Sequence, residues 1–182
     1  MQRLVITGMG AICALGNDAP SVWQAMTEGR TGIAPISRVD PERVRAAGVV
    51  AEVKGFDPGQ HFDDAKLSQL DLATQYALVA AKEAIAQAGL SFEGERASRT
   101  AVVIGSGVAG EVTRDTQYHR IYAEKAPRVH PLGIIRMMMN APASQISMAH
   151  GITGPAFVVA SACASSNHAF AQAAMMIRSG LV

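Results

Sequence analysis

Cysteine is scarce in this chain of 182 residues, which contains only Cys13 and Cys163. Two cysteines are too few for a disulfide framework, and neither has the spacing or the histidine neighbours of a zinc site. A reducing, cytoplasmic environment is therefore the expected setting, and neither a metal nor another cofactor is expected.

The sequence also lacks an excess of charge of either sign and lacks long hydrophobic runs. The formal net charge is +1, and charged residues make up 17% of the chain. The apolar runs are far shorter than a membrane span, and no secretory hydrophobic segment follows the first residues. With 49% hydrophobic residues, the chain can bury a substantial core. We expect a soluble globular protein with no nucleic-acid partner and no membrane partner.

Apolar runs of the β type alternate with helical patterns along the chain, without an internal repeat or a low-complexity segment. The strand-like runs are residues 4–7, 100–104 and 157–160, and the helical patterns are residues 21–28, 66–88 and 169–179. Glycine follows each helical pattern, which is a typical helix stop. This alternation predicts an α/β layer structure with a mainly parallel central sheet.

The longest helical pattern has one face of small residues. Within residues 66–88, this face consists of Leu70, Ala73, Ala77, Ala80, Ala84 and Ala88. Such a face can pack closely against a sheet or another helix. Residues 31–59 carry glycine and proline at intervals and are predicted to form a surface segment.

Cys163 lies where the third strand-like run meets the last helical pattern. The unpaired N–H groups and the positive dipole end of a helix N-terminus favour a thiolate, which is the nucleophilic form of cysteine. The backbone N–H of the same residue would lie close enough to stabilise an oxyanion. A small buried cysteine in a tight turn is the alternative, and the motif alone does not decide between them.

Residues 105–110 match the dinucleotide-binding pattern Gly-x-Gly-x-x-Gly after a strand. That interpretation needs a further strand ending in an acidic residue about 20 positions later, and residues 118–128 look helical or looped instead. A glycine turn where the backbone passes close to another segment is therefore favoured. His168 is a poor base for Cys163, because five residues on a helix turn the ring about 140° away.

Several motifs in order make the whole chain resemble the N-terminal half of the elongating β-ketoacyl-acyl-carrier-protein synthases, in the thiolase superfamily. The motifs are Val-Ile-Thr-Gly-Met-Gly at residues 5–10, Leu-Gly-Asn at 15–17 with Trp23 downstream, Gly-Arg-Thr-Gly-Ile at 29–33, Ile-Gly-Ser-Gly at 104–107, Gly-Ile-Thr-Gly-Pro at 151–155, and Ser-Ala-Cys-Ala-Ser-Ser-Asn-His-Ala at 161–169. The resemblance implies one N-terminal ketosynthase domain over residues 1–182, half of a layered αβαβα fold.

The same resemblance implies a role for each of five residues. Cys163 would take the acyl chain from acyl carrier protein as a thioester, before decarboxylative Claisen condensation with the malonyl thioester. Val108 would limit how far the chain enters, with Gly107 beside it. Gly133 and Ile134 would reach across a homodimer to close the partner's acyl pocket.

Docking of the carrier protein is implied for Lys66, Lys125 and Arg128. Members of this family usually carry clustered basic residues near Lys66, whereas Asp63 and Asp64 precede it in this chain. Either the carrier is a specialised one, or exposed charges simply vary at this surface.

The two downstream histidines that stabilise the enolate in this family, in His-Gly-Thr and Gly-His contexts, do not occur in these 182 residues. The expectation is therefore a fragment, or one half of a split enzyme, whose activity is that of an acyltransferase in fatty-acid or related lipid or polyketide biosynthesis. The alternative is a non-catalytic half that acts by assembling with another ketosynthase chain. Acyl chain length, the carrier and the pathway stay open.

Overall fold

A computed structural model describes residues 3–40 and 48–182 as a mixture of helices and short strands. The helices are α1 (Ala19–Thr27), α2 (Asp64–Leu67), α3 (Leu72–Ala88), α4 (Gly94–Ser98), α5 (Glu111–Tyr122), α6 (Gly133–Met137), α7 (Ala141–His150) and α8 (Ser165–Arg178), and the strands are β1 (Ala34–Pro35), β2 (Val49–Val50), β3 (Val102–Gly105) and β4 (Ala156–Val159). The chain divides into a first unit of Met1–Ile6, Phe62–Leu78 and Gly89–Val182, and a second of Thr7–His61 and Val79–Ala88. None of the helices within the described ranges is both long enough and apolar enough to span a bilayer.

The sheet of the first unit is the parallel pair of β3 and β4. Val102 lies opposite Ala156, and Gly105 lies opposite Val159. Helices α7 and α8 pack against this pair, and Ile146 on α7 is buried. Parallel strands need a long crossover connection, which the residues of α5, α6 and α7 supply. The α/β class with a parallel sheet, predicted from the sequence, is therefore confirmed.

In the second unit, a glycine segment lies directly on the small-residue face of α3. A Cβ atom at Gly8 would lie 1.9 Å from the carbonyl oxygen of Ala84, and one at Gly10 would lie 1.9 Å from that of Ala80. No side chain fits at either position without moving backbone. The predicted close packing is confirmed at Ala80 and Ala84, and the partner there is a glycine-bearing segment.

Residues 4–7 do not form the predicted strand. A strand is defined by backbone hydrogen bonds to a neighbour, and residues 4–7 make none with the rest of the described chain. Val5 and Ile6 are exposed. Farther along, the N–H groups of Met9 and Ala11 donate to the side chains of Gln87 and Glu83 on α3, at 2.6 and 3.0 Å.

The single helix predicted over residues 66–88 is two helices, α2 and α3, and that prediction was wrong. Between them Leu70 and Asp71 are buried, and the Asp71 carboxylate accepts the N–H of Ala73 at 3.0 Å. A side-chain acceptor just ahead of a helix competes with helical continuation and starts the next helix. Gly89, at φ +64°, ends α3 as predicted.

The surface segment predicted at residues 31–59 contains the short strands β1 and β2, which pair antiparallel with Ala34 opposite Val50. The sequence did not indicate this pairing. The part of the segment at residues 41–47 lies outside the described residues. The remaining predictions shift by a few residues only, and the last helix begins at Ser165 rather than at residue 169.

Helix α1 begins with a side-chain cap at Asp18. The Asp18 carboxylate accepts the N–H of Ser21 at 2.6 Å, and Pro20 occupies the first turn. This backbone hydrogen bond, and a smaller one from the Ser21 side chain, lower the pKa of Asp18 below its ordinary value. Burial opposes this shift only weakly, because the side chain is exposed.

Replacing Asp18 by Ala should lower the free energy of unfolding at pH 7 by about 1 kcal/mol, as is usual for loss of an N-cap acceptor. A carboxyl whose pKa is lowered on folding stabilises the folded state above the unfolded-state pKa and loses that contribution as the pH falls through the folded-state pKa. The difference between wild type and variant should therefore shrink below about pH 4.

Urea unfolding monitored by circular dichroism, repeated across this pH range, measures the effect of Asp18→Ala. Asp18→Asn is the control, since its amide oxygen still accepts a hydrogen bond but its contribution does not titrate. Equal stability of wild type and Asp18→Ala at pH 7 would show that this hydrogen bond does not cap α1.

Candidate active site

Cys163 lies in a tight turn between the end of β4 and the start of α8, and it is exposed. The preceding residue, Ala162, has φ +46°. That left-handed conformation costs about 1–2 kcal/mol for a residue with a Cβ atom, so the surrounding contacts must impose it. The predicted strand-to-helix corner is present, and Cys163 is not buried by the described residues.

The hydroxyl of Ser165 holds this turn closed. It accepts the N–H of Ser161 at 2.8 Å and donates to the carbonyl oxygen of Ala162 at 2.7 Å. The N–H of Ala164 also donates to the carbonyl oxygen of Ser161, at 2.9 Å. Ser165 is 3% exposed, so these bonds are shielded from water. Sequence reasoning placed Ser165 in the motif but gave it no role.

The backbone N–H of Cys163 has no hydrogen-bond partner within residues 3–40 and 48–182. Helix α8 begins after Ala164, whose side chain provides no cap. The first N–H groups of a helix are left unpaired unless a cap accepts them. The N–H groups of the next two residues, Ala164 and Ser165, are paired within the turn. The exposed sulfur thus belongs to a residue whose own N–H is available to a negatively charged oxygen.

The glycine-rich loop at residues 105–110 passes directly beside this turn. A Cβ atom at Gly105 would lie 2.5 Å from the carbonyl oxygen of Ser165, and one at Gly107 would lie 3.6 Å from the Cα atom of Ala162. At Gly110, a Cβ atom would lie 2.4 Å from the Cα atom of Met137. The prediction that glycine permits a close backbone approach in this loop is confirmed at Gly105 and Gly110.

The residues implied to bind the acyl chain lie on this loop and on α6. Val108 is 64% exposed, and its carbonyl oxygen accepts the hydroxyl of Ser106. Gly133 is buried at the start of α6, whereas Ile134 is 72% exposed. The loop contacts the turn through Gly107 and contacts α6 through Gly110. The loop therefore connects the Cys163 turn to the helix that carries Gly133 and Ile134.

The three basic residues implied in carrier docking have different surroundings. The Lys66 ammonium donates to the side-chain oxygen of the buried Gln145 on α7, at 2.8 Å. Lys125 is exposed and has φ +54°. Arg128 is exposed and lines an open apolar groove with Ile121 and other neighbours. Two of the three cations therefore project into solvent, and Lys66 is partly engaged within the fold.

Each histidine has contacts that do not involve Cys163. His61 stacks on Phe56 with ring centres 5.3 Å apart, and His150 meets Phe92 edge to face at 6.5 Å. His119 lies 3.5 Å from the carboxylate of Glu124. His130 accepts the N–H of Leu132 on its side-chain nitrogen, and the backbone N–H of His168 donates to Ala164. Across the described part of the chain, no group of three or more His, Cys, Asp or Glu side chains is arranged to hold a metal ion.

A buried carboxylate links the loop region to the start of α3. Asp71 accepts both the N–H and the hydroxyl of Thr113 on α5, at 2.8 and 2.7 Å. Sequence reasoning missed this pair. An aspartate just ahead of a helical pattern is an N-cap signal, and it was obscured because the helical pattern was taken to begin at residue 66.

Comparison with known proteins matches the whole chain, residues 1–182, to the family model described as "Beta-ketoacyl synthase, N-terminal domain". Among curated relatives, Nodulation protein E of Rhizobium sp. (strain N33) is 41% identical over 180 residues, which are 98% of this chain and 44% of that protein. The 3-oxoacyl-(acyl-carrier-protein) synthase 2 of Staphylococcus aureus (strain N315) is 34% identical over 181 residues, 98% of this chain and 43% of that protein. The chain therefore spans less than half the length of these relatives.

Among solved structures, the ishigamide ketosynthase/chain length factor superposes with a TM-score of 0.84 at 28% identity, over 98% of this chain and 44% of that one. This likeness confirms the thiolase-like α/β fold expected from the sequence. Together with the family model, it shows that the chain belongs to the β-ketoacyl synthase family and corresponds to its N-terminal domain.

Proposed function

We propose that the protein is a 3-oxoacyl-acyl-carrier-protein synthase in which Cys163 carries the acyl chain. The observation that carries this proposal is the position of the sulfur. It is exposed, it lies just ahead of α8, and the N–H of its own residue has no partner in the described chain. Membership of the β-ketoacyl synthase family supports the same chemistry.

In the first step, the Cys163 thiolate attacks the carbonyl carbon of an acyl thioester and forms a new carbon–sulfur bond. The carbonyl oxygen becomes an oxyanion, which the N–H of Cys163 stabilises by hydrogen bonding. The bond to the donor sulfur then breaks, and the donor leaves as a thiolate that takes up a proton. The acyl group stays on Cys163 as a thioester.

In the second step, a malonyl thioester loses carbon dioxide and becomes an enolate. The enolate carbon attacks the Cys163 thioester, a carbon–carbon bond forms, and the Cys163 thiolate is released. Dividing the reaction in this way replaces one difficult bond formation by two easier steps. This step is proposed for the whole protein, since the chain spans less than half of its curated relatives.

The acyl chain is proposed to run along the loop at residues 105–110 towards α6. Gly107 lies against Ala162 and leaves room beside the turn. Val108 offers an exposed apolar side chain at the next position, where it limits how far the chain enters. The mostly exposed Ile134 and its neighbour Gly133 are proposed to close the pocket of a second copy in a homodimer.

The edge of β4 opposite β3 supports the homodimer, because it pairs with no other strand of the described chain. An unpaired edge of a parallel sheet readily accepts a further strand. The partner that delivers the substrates is proposed to be an acidic acyl carrier protein. Lys125 and Arg128 are available to its carboxylates, with Lys66 contributing from its bond to Gln145.

A second candidate is a subunit that assembles with another ketosynthase and performs no acylation itself. The likeness to a ketosynthase/chain length factor structure favours it. The retained cysteine at position 163 favours the catalytic role.

Cys163 should react with iodoacetamide roughly tenfold faster than Cys13, because the Cys163 sulfur is exposed and Cys13 is partly buried, and an accessible thiol is alkylated faster. Peptide mass spectrometry of briefly labelled protein measures both adducts. Labelling in denaturant is the control, since the two thiols should then react at similar rates. Preferential labelling of Cys13 in the folded protein would contradict the assignment of the nucleophile.

Val108→Phe should reduce acylation of Cys163 by long-chain thioesters while short-chain donors still react. Overpacking an apolar channel costs about 1–3 kcal/mol, which corresponds to a loss of roughly fivefold to 150-fold for the long donors. Acylation rates measured by intact-protein mass spectrometry give the dependence on chain length.

Val49→Phe is a matched control for Val108→Phe, because Val49 is a similarly exposed valine in the second unit. This variant should keep the wild-type dependence on chain length. If Val108→Phe slows donors of every length equally, Val108 is not a gate.

Cys163→Ala separates the two candidate functions. If the protein catalyses the condensation, the variant in the intact protein should lose both acylation and ketoacyl product, since no sulfur remains to hold the acyl group. A liquid chromatography assay with acyl and malonyl carrier protein measures the product. Full product formation by Cys163→Ala, alone or with a partner ketosynthase, would support the non-catalytic subunit instead.

A further inference from the structure

The buried carboxylate of Asp71 has an unusual set of partners. Asp71 and Thr113 are each 2% exposed. One carboxylate oxygen accepts the N–H of Ala73 on α3, and the other accepts the N–H and the hydroxyl of Thr113 on α5. No lysine, arginine or histidine of the described chain forms an ion pair with it. The negative charge is therefore held by hydrogen bonds alone, which makes each of them costly to lose.

Helix α5 has no cap of its own. The residue before it is Gly110, at φ +73°, and Gly110 has no side chain to accept an N–H. A capping residue could not replace it, because a Cβ atom at Gly110 would lie 2.4 Å from the Cα atom of Met137. At position 110, a side chain that capped α5 would collide with the backbone of α6, so the same residue cannot serve both contacts.

Asp71, which precedes Thr113 by 42 residues in the sequence, supplies the missing cap. Thr113 is the third residue of α5, so its N–H is one of those left unpaired at a helix start. A carboxylate at this position also interacts favourably with the helix dipole. The start of α5 is thereby fixed to the start of α3 by two hydrogen bonds to one oxygen.

The loop at residues 105–110 is held at both ends as a result. Gly105 and Gly107 lie against the Cys163 turn, and the far end continues directly into α5. Ala109 is buried, whereas Val108 beside it is exposed. Movement of the α5 start would therefore be transmitted to Val108 before it reached the turn.

We propose that Asp71, acting through Thr113, is the positioning residue that holds the Val108 gate, and so takes part in selecting acyl chain length. This inference rests on the proposed function. The helix also bonds to the segment ahead of α6, because Gln117, one turn after Thr113, accepts the N–H of His130 at 2.7 Å. Helix α5 thus joins the gate to the segment that leads to Gly133.

Thr113→Val in the intact protein tests the proposal. It removes the hydroxyl donor to Asp71 but keeps the shape of the side chain and the backbone N–H. The ratio of Cys163 acylation rates for long and short acyl thioesters should rise about fivefold, because a loosened gate admits longer chains, and small misplacements in a site have effects of this size or larger. The rate of alkylation by iodoacetamide should stay within about twofold of wild type, because the turn itself is unchanged.

Thr116→Val is the matched control on the same helix, since the exposed hydroxyl of Thr116 donates only to the carbonyl oxygen of Val112 at 2.8 Å. It should leave the ratio unchanged, and Thr113→Ser, which keeps the hydroxyl, should restore it. Asp71→Asn is measured in parallel, because its single amide oxygen cannot accept from Ala73 and from Thr113 at once, and it should raise the ratio if Thr113→Val fails to fold.

An unchanged or lower ratio in folded Thr113→Val or Asp71→Asn protein would overturn the positioning role, even if stability falls. An equal loss of all acylation and of alkylation would overturn it too, since the damage would then lie in the turn. If wild-type Cys163 accepts no acyl donor of any length, the proposed function is wrong. The positioning role of Asp71, which depends on that function, is then wrong as well.

Discussion

The two hydrogen bonds of the Ser165 hydroxyl are the constraint on which the candidate active site depends. They tie the first residue of α8 to both residues before Cys163 and hold Ala162 in its left-handed conformation. The glycine-rich loop can then approach the turn, because Gly105 and Gly107 present no side chain to it. Without this fixed turn, the loop would have no surface to lie against and the sulfur would have no fixed direction.

The glycines of the loop at residues 105–110 make contacts that run from the Cys163 turn to α6. Gly105 and Gly107 meet the turn and the start of α8, and Gly110 meets α6; the contacts at Gly105 and Gly110 leave no space for a Cβ atom. Because glycine has no side chain, α5 has no N-cap of its own. The carboxylate of Asp71, elsewhere in the same unit, accepts the N–H of Thr113 instead. The buried carboxylate of Asp71 therefore compensates for the close backbone contact at Gly110.

Sequence reasoning succeeded where the signal was local. The turn at Cys163 is marked by small residues between a strand and a helix, and the start of α1 is marked by Asp18 followed by Pro20. It failed where a partner lies far along the chain. Residues 4–7 have the composition of a strand, but pairing depends on a neighbour that composition does not reveal. The bonds of Asp71 to Thr113 and of Lys66 to Gln145 span 42 and 79 residues, and no local spacing indicates them.

The alanine at position 162 has a consequence for the flexibility of the turn. Glycine would adopt φ +46° without steric cost, yet the residue is alanine. Alanine raises the energy of the folded turn, but it also leaves the unfolded chain fewer conformations to lose, so less entropy opposes closure. It further removes the mirror-image backbone conformations that glycine would sample in the folded state. The Cys163 thiol is thereby held within a narrow range of directions, and the methyl group of the residue before it helps to set that range.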